Sequence, residues 1–520
     1  MTLSTLDLAI LAVYVLGLLI IAYMISRDKS GHSKDTNDYF LAGNTLPWWA
    51  IGASLIAANI SAEQIIGMSG SGYAIGLAIA SYEWMGAITL IIVGKYFLPI
   101  FLKRQIYTMP QFLQQRFDNR VRTTLALFWL AVYIFVNLTA VFWLGALAIN
   151  TVTGIDLTLA MVLLALFSLA YSLYGGLKAV AFTDIIQVVL LVAGGLFLSY
   201  MSLQLLGDGN GIFAGFQRLL SEAPDKFDMI LTPDNPHYIS LPGISVLLGG
   251  LWIMNLSYFG FNQYIIQRAL AAKDLPEAQK GIAFAAFLKL LMPVIVVLPG
   301  IAATLLLPAL DKPDQAYPQL MALMPSGIKG LIFAALVAAI VSSLASMTNS
   351  IATIFTMDIY SQLKPGKTQQ HYVWIGRLVS LAALIIALFT AKPLLGEFEQ
   401  AFQYIQEFTG FFTPGIVVLF MLGMFWRRTT ANAVLIAAVS SAVLSLIFKL
   451  CWPALPFMDR VGLVFLCCLA LAVVITLLQR QGDHPHAVRL DDIQFSTRSS
   501  FNWSALIVVL ILAAFYTVWW

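Results

Sequence analysis

The sequence predicts an all-α polytopic membrane protein with about 14 transmembrane helices. Its core is expected to be two inverted five-helix repeats, each opening with a broken helix. Three observations carry this. First, 60% of the 520 residues are hydrophobic and only 11% are charged, with a mean hydropathy of +0.85, whereas soluble domains carry about 25% charged residues. Second, about 14 apolar runs approach or exceed the ~20 residues that span a bilayer. Third, two of those runs turn small and polar partway through, which is poor material for a straight membrane helix.

The runs cover 6–25, 46–69, 78–101, 122–150, 157–174, 179–204, 241–262, 280–308, 328–359, 372–390, 398–425, 431–449, 461–479 and 502–519. No basic residue precedes the first run and no small-residue cleavage site follows it, so it is expected to be a retained helix rather than a cleaved signal. Loops on the side reached after this helix hold 19 lysines and arginines, from Arg27, Lys29 and Lys34 to Arg480, Arg489 and Arg498; the other side holds about five. Basic loops stay in the cytoplasm, so both termini are expected outside.

The second run reads Gly52-Ala53-Ser54-Leu55-Ile56-Ala57-Ala58-Asn59-Ile60-Ser61-Ala62-Glu63-Gln64, followed by Gly67, Ser69, Gly70, Ser71 and Gly72. Within a bilayer such a break survives only where the freed backbone lines a cavity or a ligand. In the seventh run, Asn255-Leu256-Ser257 repeats the pattern of Asn59-Ile60-Ser61, again with glycine before it (Gly249-Gly250) and amides after it (Asn262, Gln263). With the first helix set aside, these two open consecutive groups of five. An odd group size inverts the second group, the plan of secondary transporters whose broken helices meet at midplane. The expected division is 1–45 (extra helix and cytoplasmic loop), 46–204 (first repeat), 205–240 (outer loop), 241–425 (second repeat) and 426–520 (three further helices).

Charges at membrane depth are costly, about 2.5–3.5 kcal/mol even on lenient scales, so each one calls for an explanation. Glu83 in the third run either reaches outer water or accepts the hydroxyls of a sugar. Lys289, midway along the eighth, either contacts a polar ligand or pairs within the bundle. Asp184 begins the sixth run, where an acid suits the positive end of a helix dipole or a cation path. In the ninth run Ser342 and Ser343 are adjacent hydroxyls. Such groups usually bond their own backbone. Facing the freed carbonyls of Ala57 and Ile60, however, they would make a compact neutral cage for a hard alkali cation. Gln403 and Gln406 in the eleventh run share a helix face and suit hydroxyl-rich ligands; Glu407 falls off that face. Short surface helices are expected near 212–220 and 111–117. The three cysteines, Cys451, Cys467 and Cys468, show neither metal-ligand spacing nor a disulfide pattern, and Tyr516, Trp519 and Trp520 suit an interfacial aromatic belt.

Taken together, ASLIAANISAEQ, ASYEW, LYGGLKA, NLSYFGFNQYIIQR, AAIVSSLASMTNS, FTMDIY and AFQYIQEFTG closely resemble the sodium/solute symporter family. Within it the nearest patterns are those of bacterial sodium/galactose and animal sodium/glucose transporters. The resemblance implies a LeuT-like fold and alternating access, with Na+ as the coupling ion and a monosaccharide as substrate. It implies a sodium site at the carbonyls of Ala57, Ile60 and Ala339 and the hydroxyls of Ser342 and Ser343. It implies a sugar site at Gln64, Glu83, Asn255, Lys289 and Gln406, with Asn59 and Ser61 close by, and Tyr258 stacking on the pyranose and blocking inward release. Met68, Tyr82 and Phe402 take the place of an outer gate, and Asp184 that of an acid on the sodium exit path. Two positions depart from the galactose pattern: Gly86 replaces a serine and Phe259 a tryptophan. Ala345 replaces a hydroxyl of a second sodium site, so one sodium is expected.

The rival readings are the same fold carrying myo-inositol, sialic acid or an amino acid; a channel; a membrane enzyme; and a sensor. The five histidines, scattered mostly in loops, offer no catalytic constellation, and no nucleotide- or nucleic-acid-binding pattern is present. A monomer is expected to suffice, with a dimer possible.

Overall fold

A computed structural model describes residues 3–26, 40–60, 62–172, 176–395 and 401–520. Ser61 and the loop carrying Arg27, Lys29 and Lys34 lie outside the described residues. The described chain is helical and has no strand, only an isolated bridge between Leu46 and Ala272. Nine described helices are long and apolar enough to cross a membrane, and one bent pair makes ten.

In chain order, α1 is Thr5–Ser26. The bent pair follows as α2, Trp48–Asn59, and α3, Glu63–Ala74, which meet at 63°. Next come α4 (Leu77–Arg104), α5 (Asn119–Thr153), α6 (Leu157–Ser172) and α7 (Gly176–Leu206). A second interrupted helix consists of α8 (Gly250–Asn255), a wide turn over Leu256–Phe261, and α9 (Gln263–Leu270). Then come α10 (Leu275–Leu306), α11 (Ile328–Leu363), α12 (Gln369–Leu395), α13 (Ala401–Gly410), α14 (Thr413–Phe425), α15 (Ala431–Cys451), α16 (Phe457–Leu478) and α17 (Ser499–Val518). Short helices at Ile212–Glu222 and Met109–Arg116 fall where the sequence places surface helices.

Both breaks have a local cause. After Asn59 the chain leaves helical geometry at Ile60 (φ −78°, ψ 84°) and resumes as a wide turn over Glu63–Met68. Wide turns of this kind collect at functional sites. At the second break Asn262 is extended (φ −74°, ψ 121°). There the Tyr133 hydroxyl accepts from the Gln263 amide at 2.9 Å and donates to Asn262 Oδ1 at 2.7 Å. The backbone group freed by the break is thereby satisfied inside protein.

The long helix α10 braces both halves of the first break. Membrane helices pack through small residues that let backbones approach. A Cβ on Gly52 of α2 would lie 2.7 Å from the Gly281 carbonyl, and one on Gly300 of α10 would lie 2.1 Å from the Ser69 carbonyl of α3. Larger side chains at either position would force α10 away from the break. The α7 and α11 helices close the opposite side, with Asp184 and Ser342 buried between them.

Candidate functional site

The two breaks meet. Asn59, the last residue of α2, donates from Nδ2 to the Tyr258 hydroxyl at 3.0 Å, and Tyr258 sits in the wide turn after α8. Tyr264 of α9 donates to the same hydroxyl at 3.0 Å. Above this junction lies a cavity of about 70 Å³.

Every described residue expected to touch a sugar lines that one cavity: Asn59, Gln64, Glu83, Asn255, Tyr258, Lys289 and Gln406. The three expected gate residues line it too. Tyr82 and Phe402 meet edge to face at 5.3 Å between ring centroids, and Met68 is fully buried, so the gate end of the cavity is shut. The two alternatives for Lys289 turn out not to exclude each other. Its Nζ pairs with Glu83 Oε2 at 2.6 Å, with both side chains nearly fully buried, and both residues face the cavity. The pair neutralises both charges where neither would be stable alone, and it leaves Glu83 Oε1 and the remaining Lys289 protons as hydrogen-bonding capacity. Lys289 also lies 5.0 Å above the Phe259 ring.

The wall holds groups that the sequence reading did not select: Glu63, Asn137, Asn262 and Thr409. Of these, Asn137 had a usable signal, an amide in an apolar run, like the one that drew attention to Asn59. Gln403 is not among the lining residues, and neither of its amide atoms has a hydrogen-bond partner among the described residues. Glu407 faces away, toward Arg460 and Lys449.

A second polar centre lies beside the first break. Ala57, Ile60, Ala339, Ser342 and Ser343 are all buried. A helix end leaves its last carbonyls without amide partners, and Ser343 of α11 donates to one of these, Ala58 O, at 3.3 Å. The expected carbonyls are those of Ala57 and Ile60; the Ser343 hydroxyl instead donates to Ala58, one of the two residues between them. Ser342 donates to Asp184 Oδ1 at 2.6 Å, and Ser54 donates to Asp184 Oδ2 at 2.5 Å. Arg268 closes the network through Ser54, Ser346 and the Tyr264 carbonyl. Asp184 is thus one hydroxyl away from the proposed ion cage. A serine that donates its proton to a carboxylate or carbonyl keeps its lone pairs for a cation, and neutral oxygens suit hard cations.

A family model described as "Sodium:solute symporter family" matches residues 39–440. The chain belongs to this family. It is 52% identical to a sodium/glucose cotransporter of Vibrio parahaemolyticus, covering all of this chain and 99% of that one. It is 34% identical to the mouse sodium/myo-inositol cotransporter 2, covering 85% of this chain and 69% of the relative. Among solved structures, a sodium-coupled sialic acid symporter in a substrate-bound, outward-open state superposes with a TM-score of 0.80 at 25% identity, covering 91% and 98% of the two chains. A nucleobase-cation-symport-1 family transporter in a closed conformation shares the fold at a TM-score of 0.54 and 15% identity, covering 91% of this chain and 99% of that one. The protein is therefore a multi-pass membrane symporter with Na+ as its coupling ion.

Proposed function

We propose that this symporter imports a neutral monosaccharide of the galactose or glucose type. The observation that carries the reading is the junction of Asn59 with Tyr258: it joins both breaks at a cavity lined by several amides, the Glu83–Lys289 pair and Glu63. Such a wall is rich in hydrogen-bond donors and acceptors and carries Lys289 only as a paired cation, which suits a polyhydroxylated neutral ring. An anionic solute would want a free cation, and Lys289 is already committed to Glu83. The 52% identity to a protein named as a sodium/glucose cotransporter points the same way. A cyclitol such as myo-inositol is the second reading, favoured by the sodium/myo-inositol cotransporter relatives.

In the proposed cycle one sodium enters the cage of Ala57, Ile60 and Ala339 carbonyls with the Ser342 and Ser343 hydroxyls, and steadies the outward-open form. Sugar then binds to Gln64, Glu83, Asn255, Lys289 and Gln406, and the Met68, Tyr82 and Phe402 gate closes. Tyr258 moves aside, sodium passes Asp184, and both ligands reach the cytoplasm. Coupling requires that sodium favour one state over the other. One charge crossing ~100 mV gives about 2.3 kcal/mol and a tenfold sodium gradient about 1.4. Together these ~3.7 kcal/mol support roughly 500-fold sugar accumulation at one-to-one coupling. About 14 spans, two inverted repeats over 46–204 and 241–425, periplasmic termini, an inner-membrane location and a functional monomer complete the reading.

The test is uptake of labelled galactose, glucose and myo-inositol into proteoliposomes, with sodium replaced by potassium or choline. Saturable hexose uptake that vanishes without sodium is expected. Uptake of myo-inositol alone would move the proposal to the cyclitol, and sodium-independent, non-saturating flux would overturn it.

A further inference from the structure

Beyond the pocket itself, the geometry points to the ion cluster of Glu407, Arg460 and Lys449 as a positioning device. We propose that it fixes α13 against the last helices and so sets the aperture of the gate and the placement of Gln406. The inference rests on the sugar-site reading above.

The α13 helix carries Phe402 and Gln406 on its cavity face. Its next residue, Glu407, accepts on Oε1 from Arg460 Nη2 at 2.8 Å and pairs with Lys449 Nζ at 3.0 Å. Arg460 begins α16 and is 5% exposed, and its partner Glu407 is half-buried, whereas Lys449 faces solvent; the Arg460 side of the cluster therefore differs from a fully exposed pair of little consequence. Both cations also lie over the Phe411 ring, at 5.2 and 5.8 Å. The Phe411 carbonyl accepts from Ser441 and Ser445 of α15 at 2.8 and 3.4 Å. The start of α16 is also tight against α8: a Cβ on Gly250 would lie 2.0 Å from the Met458 carbonyl. Thus α16 touches both the helix that ends at Asn255 and the helix that holds Gln406.

Parting Tyr82 from Phe402 requires α13 to swing away from α4. The ion cluster resists that swing from the other side of α13. Without Glu407's charge, Arg460 keeps its burial and loses its counter-ion, and α13 loses its lateral anchor. Gln406 is then no longer held ready for the ligand, so binding bears the ordering cost.

In proteoliposomes, Glu407→Gln and Arg460→Gln are each expected to raise the half-saturating sugar concentration about tenfold, with maximal rate and half-saturating sodium within about twofold. Because the two act as one device, the double variant is expected to resemble either single, and Arg460→Lys to recover most of the loss. A solute-free readout separates this inference from the sugar reading. With Cys451→Ala, Cys467→Ala, Cys468→Ala and Phe402→Cys in place, Glu407→Gln is expected to speed maleimide labelling of the introduced thiol severalfold. Multiplying effects in the double variant, or unchanged labelling, would overturn the proposal. Faster labelling in a protein that takes up no hexose would leave the device standing and remove the sugar reading instead.

Discussion

The two breaks solve one problem with opposite chemistry. At Asn59 the chain ends a helix and presents carbonyl oxygens, and the neighbour that meets them is the Ser343 hydroxyl, with the Asp184 network behind. At Asn262 the chain begins a helix and presents an amide, and the neighbour is the Tyr133 hydroxyl, which accepts it. A carbonyl end carries partial negative charge and an amide end partial positive charge. The first break is therefore suited to a bare cation, whereas the second has its exposed amide covered and turns Asn255 and Tyr258 to the cavity. Two interruptions of similar sequence thus differ in part: both line the cavity, the first with Asn59 and Gln64 and the second with Asn255 and Tyr258, while the proposed sodium cage belongs to the first break.

Removing the hydroxyl at the carbonyl break tests the division most severely. Ser343→Ala takes away one of the oxygens of the proposed sodium cage. A hydrogen bond to a charged group is worth about 1.5–3 kcal/mol, so the half-saturating sodium is expected to rise roughly 10- to 100-fold. Sugar affinity at saturating sodium stays near that of the parent. Near-normal sodium dependence of uptake would discredit the cage.

The matching change at the amide break is Tyr133→Phe. It strands the buried Gln263 amide, at a cost of about 1–3 kcal/mol in stability. A lowered midpoint of thermal unfolding is expected, with sodium dependence unchanged. If this variant instead mimicked Ser343→Ala, the two breaks would not be separable in role. A milder test lies within the cavity. Gln64→Ala removes one neutral contact, about 0.5–1.5 kcal/mol, and is expected to weaken sugar binding by up to about tenfold without touching sodium. Unchanged affinity would place the solute elsewhere.

The breaks themselves were legible because Asn59, Gln64 and Asn255 are amides in runs that otherwise avoid polarity, and a bilayer makes that costly. The residues that the resemblance implies for the sugar site, Ser61 excepted because it lies outside the described residues, line one cavity. What sequence could not show was the local register. In a regular helix adjacent residues point about 100° apart, so Gln64 on the wall gives no reason to expect its neighbour Glu63 there. The wide turn over Glu63–Met68 brings Glu63 and Met68 to the same cavity. The turn over Leu256–Phe261 does the same for Ser257, Tyr258 and Phe259. The Glu83–Lys289 pair was hidden for another reason. The two residues lie 206 positions apart, and read alone Glu83 suits a ligand contact or outer water, and Lys289 a ligand contact or a helix-to-helix tie.

The smallest expected effect concerns solute choice on the side of the second break. Gly86 faces Phe259: a Cβ there would lie 2.9 Å from one ring carbon, 3.3 Å from the next, and 3.9 Å from Asn255 Oδ1. Glycine and phenylalanine are therefore matched, because the ring occupies the space that a side chain at 86 would need. Gly86→Ser adds a hydroxyl near Asn255 and also pushes the ring that lies beneath Lys289. The hydroxyl alone is expected to raise galactose over glucose by about two- to threefold, which is well under 1 kcal/mol. Gly86→Ala separates the two effects, since it moves the ring without offering a hydrogen bond. It is expected to weaken both hexoses alike. If alanine shifted the ratio as much as serine, the shape of the Phe259 wall, and not a hydroxyl, would govern the choice between hexoses.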